Sequence, residues 1–192
     1  MENMGQAIPR ERLGVARLTA AELSVVRGFV WTARWRPTRA LAVTLSWLGN
    51  GWAYLVIAFA TMFAFGVRAV PAICVGVLSA GVLHCLYPSI KRVVARPRPY
   101  RRDASLVPPL QALDEHSFPS GHAMTLSAAL VPLVLAFPQV MTLAVVIAVL
   151  MGWARLASAH HYPSDVAAGT ALGVGVSYPI SLVALAASRL VV

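Results

Sequence analysis

The chain has 192 residues, of which 58% are hydrophobic and only 12% charged, with a mean hydropathy of +0.71. A soluble globule of this size needs far more polar surface, so the composition excludes an ordinary soluble domain and points to a polytopic membrane protein. The net charge of +9 does not argue for nucleic acid as a partner, because the basic residues cluster where membrane-flanking loops belong and no basic face is interleaved with aromatics.

Residues 1–17 are polar with scattered Arg and Gly, and are expected to be poorly ordered. Thr19-Ala20-Ala21-Glu22 has the form of a capping box and predicts a helix start. Leu18, Ala21, Val25 and Phe29 follow at helical spacing, flanked by Arg27, Arg34, Arg36 and Arg39 and by Trp31 and Trp35. The pattern predicts an amphipathic helix over about 19–35 lying on the membrane surface, within an N-terminal segment 1–39 that precedes a transmembrane domain 40–192. An ordinary helix packed on the domain gives a similar pattern. The first apolar stretch begins only near Ala40, so the first membrane helix is expected to serve as its own insertion signal.

Residues 40–67 carry no charge. As one straight helix they would reach about 42 Å, longer than a hydrocarbon core of roughly 30 Å. Gly49-Asn50-Gly51 is placed to break or kink the run, leaving a first span near 45–67. Arg68 and Pro71 mark a tight turn, and further spans are expected at 70–90, 118–137, 140–159 and 165–190, with a short turn at Pro138. The fold class is therefore all-α: a membrane bundle of about five transmembrane helices plus the surface helix. His84, inside the second span, is expected to make a helix–helix hydrogen bond. Cys74 and Cys85 are too far apart along one helix for a disulfide and read as small core residues. Gly169, Gly173 and Gly175 suggest close helix packing in the last span.

Three polar islands interrupt the apolar sequence, at 91–102, 117–122 and 155–165. With five spans all three meet on one membrane face. In the third island Asp165 lies four residues after His161, at the start of a helix whose first turn tolerates Pro163. A carboxylate there is stabilised as an anion, and by accepting a proton from one imidazole nitrogen it leaves the other as a lone pair facing a substrate. That suits a nucleophilic or basic histidine, although a structural His–Asp bond has the same spacing and the neighbouring His160 could be the reactive ring instead. Pro119-Ser120-Gly121-His122 opens a span, where unpaired first-turn N–H groups, a glycine that permits close approach and a hydroxyl donor suit an anion. His122 in that turn can protonate a leaving oxygen. An ordinary Ser/Pro helix start would look alike. Lys91, Arg98 and Arg155 add cations that match phosphoryl oxygens, and phosphoryl transfer needs chiefly positioning and charge stabilisation. Arg92, Arg96, Arg101 and Arg102 read as headgroup contacts and topology determinants. No acidic cluster able to hold Mg²⁺ or Zn²⁺ is evident, so the expected cofactor set is empty.

Taken together, Lys91-x₆-Arg98-Pro99, Pro119-Ser120-Gly121-His122 and Arg155-x₅-His161-x₃-Asp165 resemble the three-part signature of the type 2 phosphatidic acid phosphatase family, whose superfamily also holds soluble acid phosphatases and vanadium haloperoxidases. The resemblance covers roughly 45–190. It implies a metal-independent phosphatase in which His161 rather than His160 attacks phosphorus and forms a phosphohistidine. It further implies that Asp165 orients His161, that His122 protonates the leaving group, and that Lys91, Arg98, Ser120, Gly121 and Arg155 hold the phosphoryl oxygens. Two departures stand out: Ala154 replaces the serine that often precedes the third-motif arginine, and many membrane members have six spans rather than five.

The implied function is hydrolysis of a lipid phosphate or diphosphate such as polyprenyl diphosphate, phosphatidylglycerophosphate or phosphatidic acid. A lipid phosphotransferase using the same site, and a non-catalytic lipid-phosphate binding or transport protein, are the alternatives. The expected partners are the bilayer and its lipid phosphate, with no nucleic acid. Arg10, Arg12, Arg17, Arg27, Arg34, Arg36 and Arg39 precede the first span and six basic residues lie in the long loop, whereas the opposite face has only Arg68 and Arg189. This asymmetry favours a multi-pass inner-membrane protein whose site shares the cytoplasmic face with its N-terminus, although many family members acting on lipid carriers face outward.

Overall fold

Gly49, Asn50 and Gly51 divide the uncharged run into two helices, and the fold follows from that division. The computed structural model describes residues 10–190, with side chains over 18–187. In chain order the helices are α1 (Arg10–Thr32), α2 (Arg36–Leu48), α3 (Trp52–Phe65), α4 (Val70–Val94), the single turn α5 (Pro99–Arg102), α6 (Gly121–Ala136), α7 (Met141–Ala157) and α8 (Pro163–Leu190). Among the described residues there is no β-strand, only an isolated bridge between Pro97 and His116.

Among the described residues, three stretches are long and apolar enough to cross a membrane: Trp52–Val94, Pro138–Ala157 and Pro163–Ala187. The first contains both α3 and α4. Gly66, with φ +59, supplies the left-handed residue that ends α3, and a 3-10 turn, Gly66–Ala69, leads into α4. The two helices run antiparallel, so that Tyr54 at the start of α3 lines one cleft with His84 and Tyr87 from the far end of α4. Helix α6 is apolar but shorter. It is the centre of the bundle, packed most extensively on α8 and then on α4, with Met124, Leu126 and Ala128 sealed from the surface. The outer helices turn large apolar residues outward. Phe63 is 95% exposed and Val183 74%, which in water would be unfavourable and in lipid is not.

Several expectations are corrected. Helix α1 begins by Arg10, not at Thr19, because the Arg, Glu, Leu and Ala upstream are good helix formers and carry the helix through the capping-box sequence. Residues 10–17, expected to be poorly ordered, are helical; residues 1–9 lie outside the described residues. The first span does not start near 45: residues 45–48 close α2, which begins at Arg36 with Pro37 in its first turn. Cys74 and Cys85 are free thiols on exposed faces rather than in the core. His84 donates from Nδ1 to the carbonyl of Ala80 in its own helix, at 2.8 Å, and makes no bond between helices; the carbonyl one turn back is simply the nearest acceptor. Of the three glycines in α8, Gly169 and Gly173 meet the α6 backbone at Ser120 and Met124, whereas Gly175 faces open space.

Helix α1 packs one face on the bundle. Val26 is fully buried with Leu106, Ala159 and Tyr162, while Leu18, Val25 and Trp31 stay exposed.

Candidate active site

The three polar islands converge at helix ends on one side of the bundle. Lys91 stands in the last turn of α4, and Arg98 precedes α5. Ser120 is the N-cap of α6, and Gly121 and His122 are its first residues. Arg155 is in the last turn of α7 and Asp165 in the first turn of α8, with His160 and His161 in the bend between. Ser120 ties two of these ends together by donating its backbone N–H to the carbonyl of Asp165 at 3.0 Å. Lys91, Arg98, Ser120, Arg155, His161 and Asp165 are all buried. A side chain at Gly121 would meet the Tyr87 hydroxyl, 2.7 Å from an added Cβ, so a larger residue here would have to displace the Tyr87 ring.

The two adjacent histidines have different hydrogen bonds, and these separate their chemistry. His160 accepts from Arg155 Nη2 on Nδ1 at 2.8 Å and donates from Nε2 to the carbonyl of Leu110 at 2.9 Å. Both ring nitrogens are committed. His161 donates from Nδ1 to the carbonyl of Ser117 at 2.7 Å, which leaves the lone pair on Nε2, 3.4 Å from Arg98 Nη1. Burial, then the charges of Arg155 and Arg98, push His160 down to about 3 and hold His161 well below the ordinary imidazole range. His161 is thus a neutral imidazole with one available lone pair. The Asp165 carboxylate lies 3.8 Å from His161 Nδ1. It is near enough to act by charge but is not the hydrogen-bond acceptor that the four-residue spacing suggests; its oxygens accept instead from the Tyr162 N–H at 2.8 Å and from Arg96 Nη1 at 2.7 Å.

Arg155 has no carboxylate partner among the described residues, and its Nε has no hydrogen-bond partner; the Ser120 hydroxyl is likewise buried and unpaired. A buried guanidinium without a counter-charge is costly unless an anion meets it. Lys91 and Arg98 are answered by Asp114, a residue the sequence reading did not single out. Its Oδ1 accepts from Lys91 Nζ at 2.6 Å and from Arg98 Nη2 at 2.7 Å, and its Oδ2 from the Tyr87 hydroxyl at 3.1 Å. Burial works against this carboxylate, but the bonds and charges of Lys91 and Arg98 outweigh it and hold Asp114 below the usual range. Asp114 also lines a cleft of about 370 Å³ with Asn50, Tyr54, His84 and His122. The carboxylate therefore stands between that cleft and the buried cations.

His122 lies at the cleft, with Nε2 donating to the carbonyl of Ser46 in α2 at 3.0 Å. Gly49 touches the same imidazole, and any side chain there would overlap it. The glycine that ends α2 thus also makes room for His122. Arg92, Arg101 and Arg102 are exposed, as expected. Arg96 is not a headgroup contact: it bonds Glu22 of α1 through Nη2 at 2.5 Å and Ser164 Oγ through Nη1 at 2.7 Å, besides Asp165, and stacks over Tyr162 at 3.8 Å. Glu22 and Asp114 are two of only 7 acidic residues in the chain. In so apolar and basic a sequence, that scarcity is the available signal that a buried acid has a cation to answer.

Comparison with known proteins agrees with this geometry. The family model described as PAP2 superfamily matches residues 69–189. An undecaprenyl-diphosphatase of Sulfolobus acidocaldarius is 37% identical over 46% of this chain and 43% of its own. A lipid A 1-phosphatase of Rhizobium johnstonii is 39% identical over 35% and 28%. A decaprenylphosphoryl-5-phosphoribose phosphatase of Mycobacterium tuberculosis is 37% identical over 50% and 52%. The chain thus spans about half or less of these relatives. The solved structure of a transmembrane PAP2-type phosphatidylglycerolphosphate phosphatase from Bacillus subtilis superposes with a TM-score of 0.65, at 23% identity, over 85% of this chain and 84% of that one; at that identity the likeness is one of fold.

Proposed function

Because this chain belongs to the PAP2 superfamily, we propose that it removes phosphate from a membrane lipid phosphate or diphosphate through a phosphohistidine, with side-chain cations in place of a metal. The observation that carries this reading is Arg155, a buried guanidinium with no carboxylate partner among the described residues, fixed beside a histidine whose Nε2 lone pair faces only the long contact from Arg98 Nη1 at 3.4 Å. In the proposed reaction His161 Nε2 bonds to phosphorus as the bond to the leaving oxygen breaks, and the Nδ1–H stays on the Ser117 carbonyl. Arg98, Arg155, Lys91, Ser120 and the first-turn N–H groups at Gly121 carry the charge of the phosphoryl oxygens. His122, charged as the imidazolium when the phosphate anion is bound, gives the leaving oxygen its Nδ1 proton, and its Nε2–H stays on the Ser46 carbonyl. Water then attacks the phosphohistidine, His122 takes the water's proton, and phosphate departs with His161 restored.

A polyprenyl-linked or glycerolipid phosphate fits the names of the relatives, and a cleft at the end of an apolar bundle suits a headgroup arriving from the bilayer. We place the site on the same face as α1, whose Glu22 and Arg27 bond to Ser164 and Asp103 near the site. The exposed Trp31 and Trp35, with Arg34 stacked 4.1 Å over Trp31, suit the headgroup layer. The basic asymmetry supports a cytoplasmic placement of that face, and a C-terminal reporter found on the cytoplasmic side would contradict it.

The test is phosphate release by purified protein in detergent with EDTA, using polyprenyl diphosphate, polyprenyl phosphate, phosphatidylglycerophosphate and phosphatidic acid, each against His161→Ala. Release by the wild type alone supports the reading. Release by neither protein from any of the lipids, with both folded, overturns it.

A further inference from the structure

Glu22 lies in α1, outside the 69–189 match to the family, yet it is two bonds from the proposed catalytic centre. Its side chain is buried on a helix whose neighbouring residues Leu18, Val25 and Trp31 are exposed. Oε1 accepts the backbone N–H of Ser164 at 2.9 Å, and Oε2 accepts from Arg96 Nη2 at 2.5 Å. The same guanidinium uses Nη1 for the Ser164 hydroxyl and for Asp165 Oδ1, both at 2.7 Å. Arg96 is therefore shared between two carboxylates, one on α1 and one beside His161, and Tyr162 lies flat beneath it.

Charge balance decides what this arrangement does. If Arg96 faced Asp165 alone, the pair would be neutral and would offer little to an imidazole gaining positive charge during attack. With Glu22 present the trio carries a net charge of −1, and that charge is left on the carboxylate nearest His161. Hydrogen bonds and the charge of Arg96 overcome burial to keep Glu22 ionised, below the usual carboxylate range. The other charged groups around His161 are Lys91 from α4, Arg98 from the segment before α5 and Arg155 from α7, with the titratable but neutral His160 in its own bend. The three cations disfavour a positive ring; Asp165 is the carboxylate beside Nδ1, and Asp114 lies beyond Arg98 on the Nε2 side.

We propose that Glu22 is a positioning residue for the lipid phosphatase reaction: acting through Arg96, it sets the orientation and the effective charge of Asp165 at His161. The N-terminal helix is then part of the working site. This rests on the assignment of His161 as nucleophile, and the experiment keeps the two apart.

Steady-state phosphate release would be measured on the full chain in detergent for wild type, His161→Ala, Glu22→Gln, Glu22→Asp and the double variant Glu22→Gln with Arg96→Met, with a thermal midpoint for each. Gln keeps the length of the side chain and one acceptor oxygen for either the Ser164 N–H or the Arg96 N–H but loses the charge and the second acceptor, so the charge-keeping Glu22→Asp and the double variant carry the distinction between charge and shape. The expected result is a loss of roughly tenfold or more in kcat with KM within about twofold, since Glu22 touches none of the groups proposed to hold phosphate. Glu22→Asp, which keeps the charge, should lose less than Glu22→Gln. Removing Arg96 in the Gln background restores the net charge of −1 and should raise kcat above the Gln single variant. A purely structural clamp would instead make the double variant worse. Wild-type kcat in Glu22→Gln, equal losses in Asp and Gln, or a further loss in the double variant would each overturn the proposal. A fully active His161→Ala would overturn the assignment of the nucleophile itself.

Discussion

His161 gives its Nδ1 proton to the Ser117 carbonyl oxygen at 2.7 Å, so the tautomer of the candidate nucleophile is fixed by main chain. Asp165, at 3.8 Å, acts on the ring by charge. Where a carboxylate alone fixes the tautomer, converting it to the amide costs about 10⁴-fold in kcat. Here the carbonyl keeps Nε2 unprotonated in either variant. Asp165→Asn is therefore expected to lose only roughly 10² to 10³-fold, while His161→Ala falls to the background rate. Single-turnover phosphate release measures both. Equal inactivity in the two variants would show that Asp165, not Ser117, controls the ring.

How much of this site could be read from sequence depended on the range of the interactions. Lys91, Arg98, Ser120, Gly121, His122, Arg155, His161 and Asp165 sit within short motifs at helix ends, and a hydropathy pattern that places the ends also places the residues. Asp114, Arg96 and Glu22 act through partners 16 to 142 positions away along the chain, and no local pattern encodes such pairs. The acceptor of the His161 proton escapes the sequence for a related reason. Four-residue spacing brings Asp165 close, but Ser117 arrives from another loop and lies closer. The helix break at Gly49–Gly51 was visible as composition. Its role in seating His122 was not, because that contact joins α2 to α6.

His160 and His161 also predict an acid limit to stability. Their folded imidazoles titrate below the ordinary 6.5, His160 at about 3. Above pH 6.5 both folded and unfolded rings are neutral and the full stability is present. As the pH falls below 6.5 the unfolded chain binds protons that the folded chain refuses, so stability is lost progressively toward about pH 3. Each histidine contributes a slope of up to about 1.4 kcal/mol per pH unit. His160→Gln, whose amide can still accept from Arg155 and donate to Leu110, removes one of the two. Thermal midpoints followed from pH 8 to 5 should fall less steeply in that variant than in the wild type. Parallel curves would show that His160 charges in the folded state.

Asp114 uses the donors of Lys91 and Arg98 that a phosphoryl group would need. A lipid phosphate entering the cleft must displace this carboxylate or share the cations with it, and two anions on one pair of cations repel. Asp114→Asn removes the competing charge while keeping an oxygen for the Tyr87 hydroxyl. Inhibition by inorganic phosphate or orthovanadate is expected to tighten by roughly tenfold. An unchanged inhibition constant would mean that the phosphoryl site is reached without displacing Asp114.

Helix α8 carries Asp165, and its seat on α6 is set by two glycines. An added Cβ at Gly173 would overlap the Met124 carbonyl oxygen and lie 2.7 Å from the Ser127 Cβ and 3.1 Å from the Ala128 nitrogen. Backbone cannot yield as a flexible side chain can, so Gly173→Ala must push the helices apart, at a cost of roughly 1–3 kcal/mol. Gly175, two residues on, has nothing within 4 Å, and Gly175→Ala should leave stability unchanged or raise it through helix propensity. The displacement would also reach the site. Gly169, one turn closer to Asp165, already touches the Ser120 carbonyl, and the Ser120 N–H bonds the Asp165 carbonyl at 3.0 Å. Separating α6 from α8 stretches that bond and moves the phosphate-facing end of α6 away from His161. Gly173→Ala is therefore expected to lower both the thermal midpoint in detergent and kcat, and Gly175→Ala neither. A Gly173→Ala protein with the wild-type midpoint would show that the α6–α8 interface is looser than these contacts require.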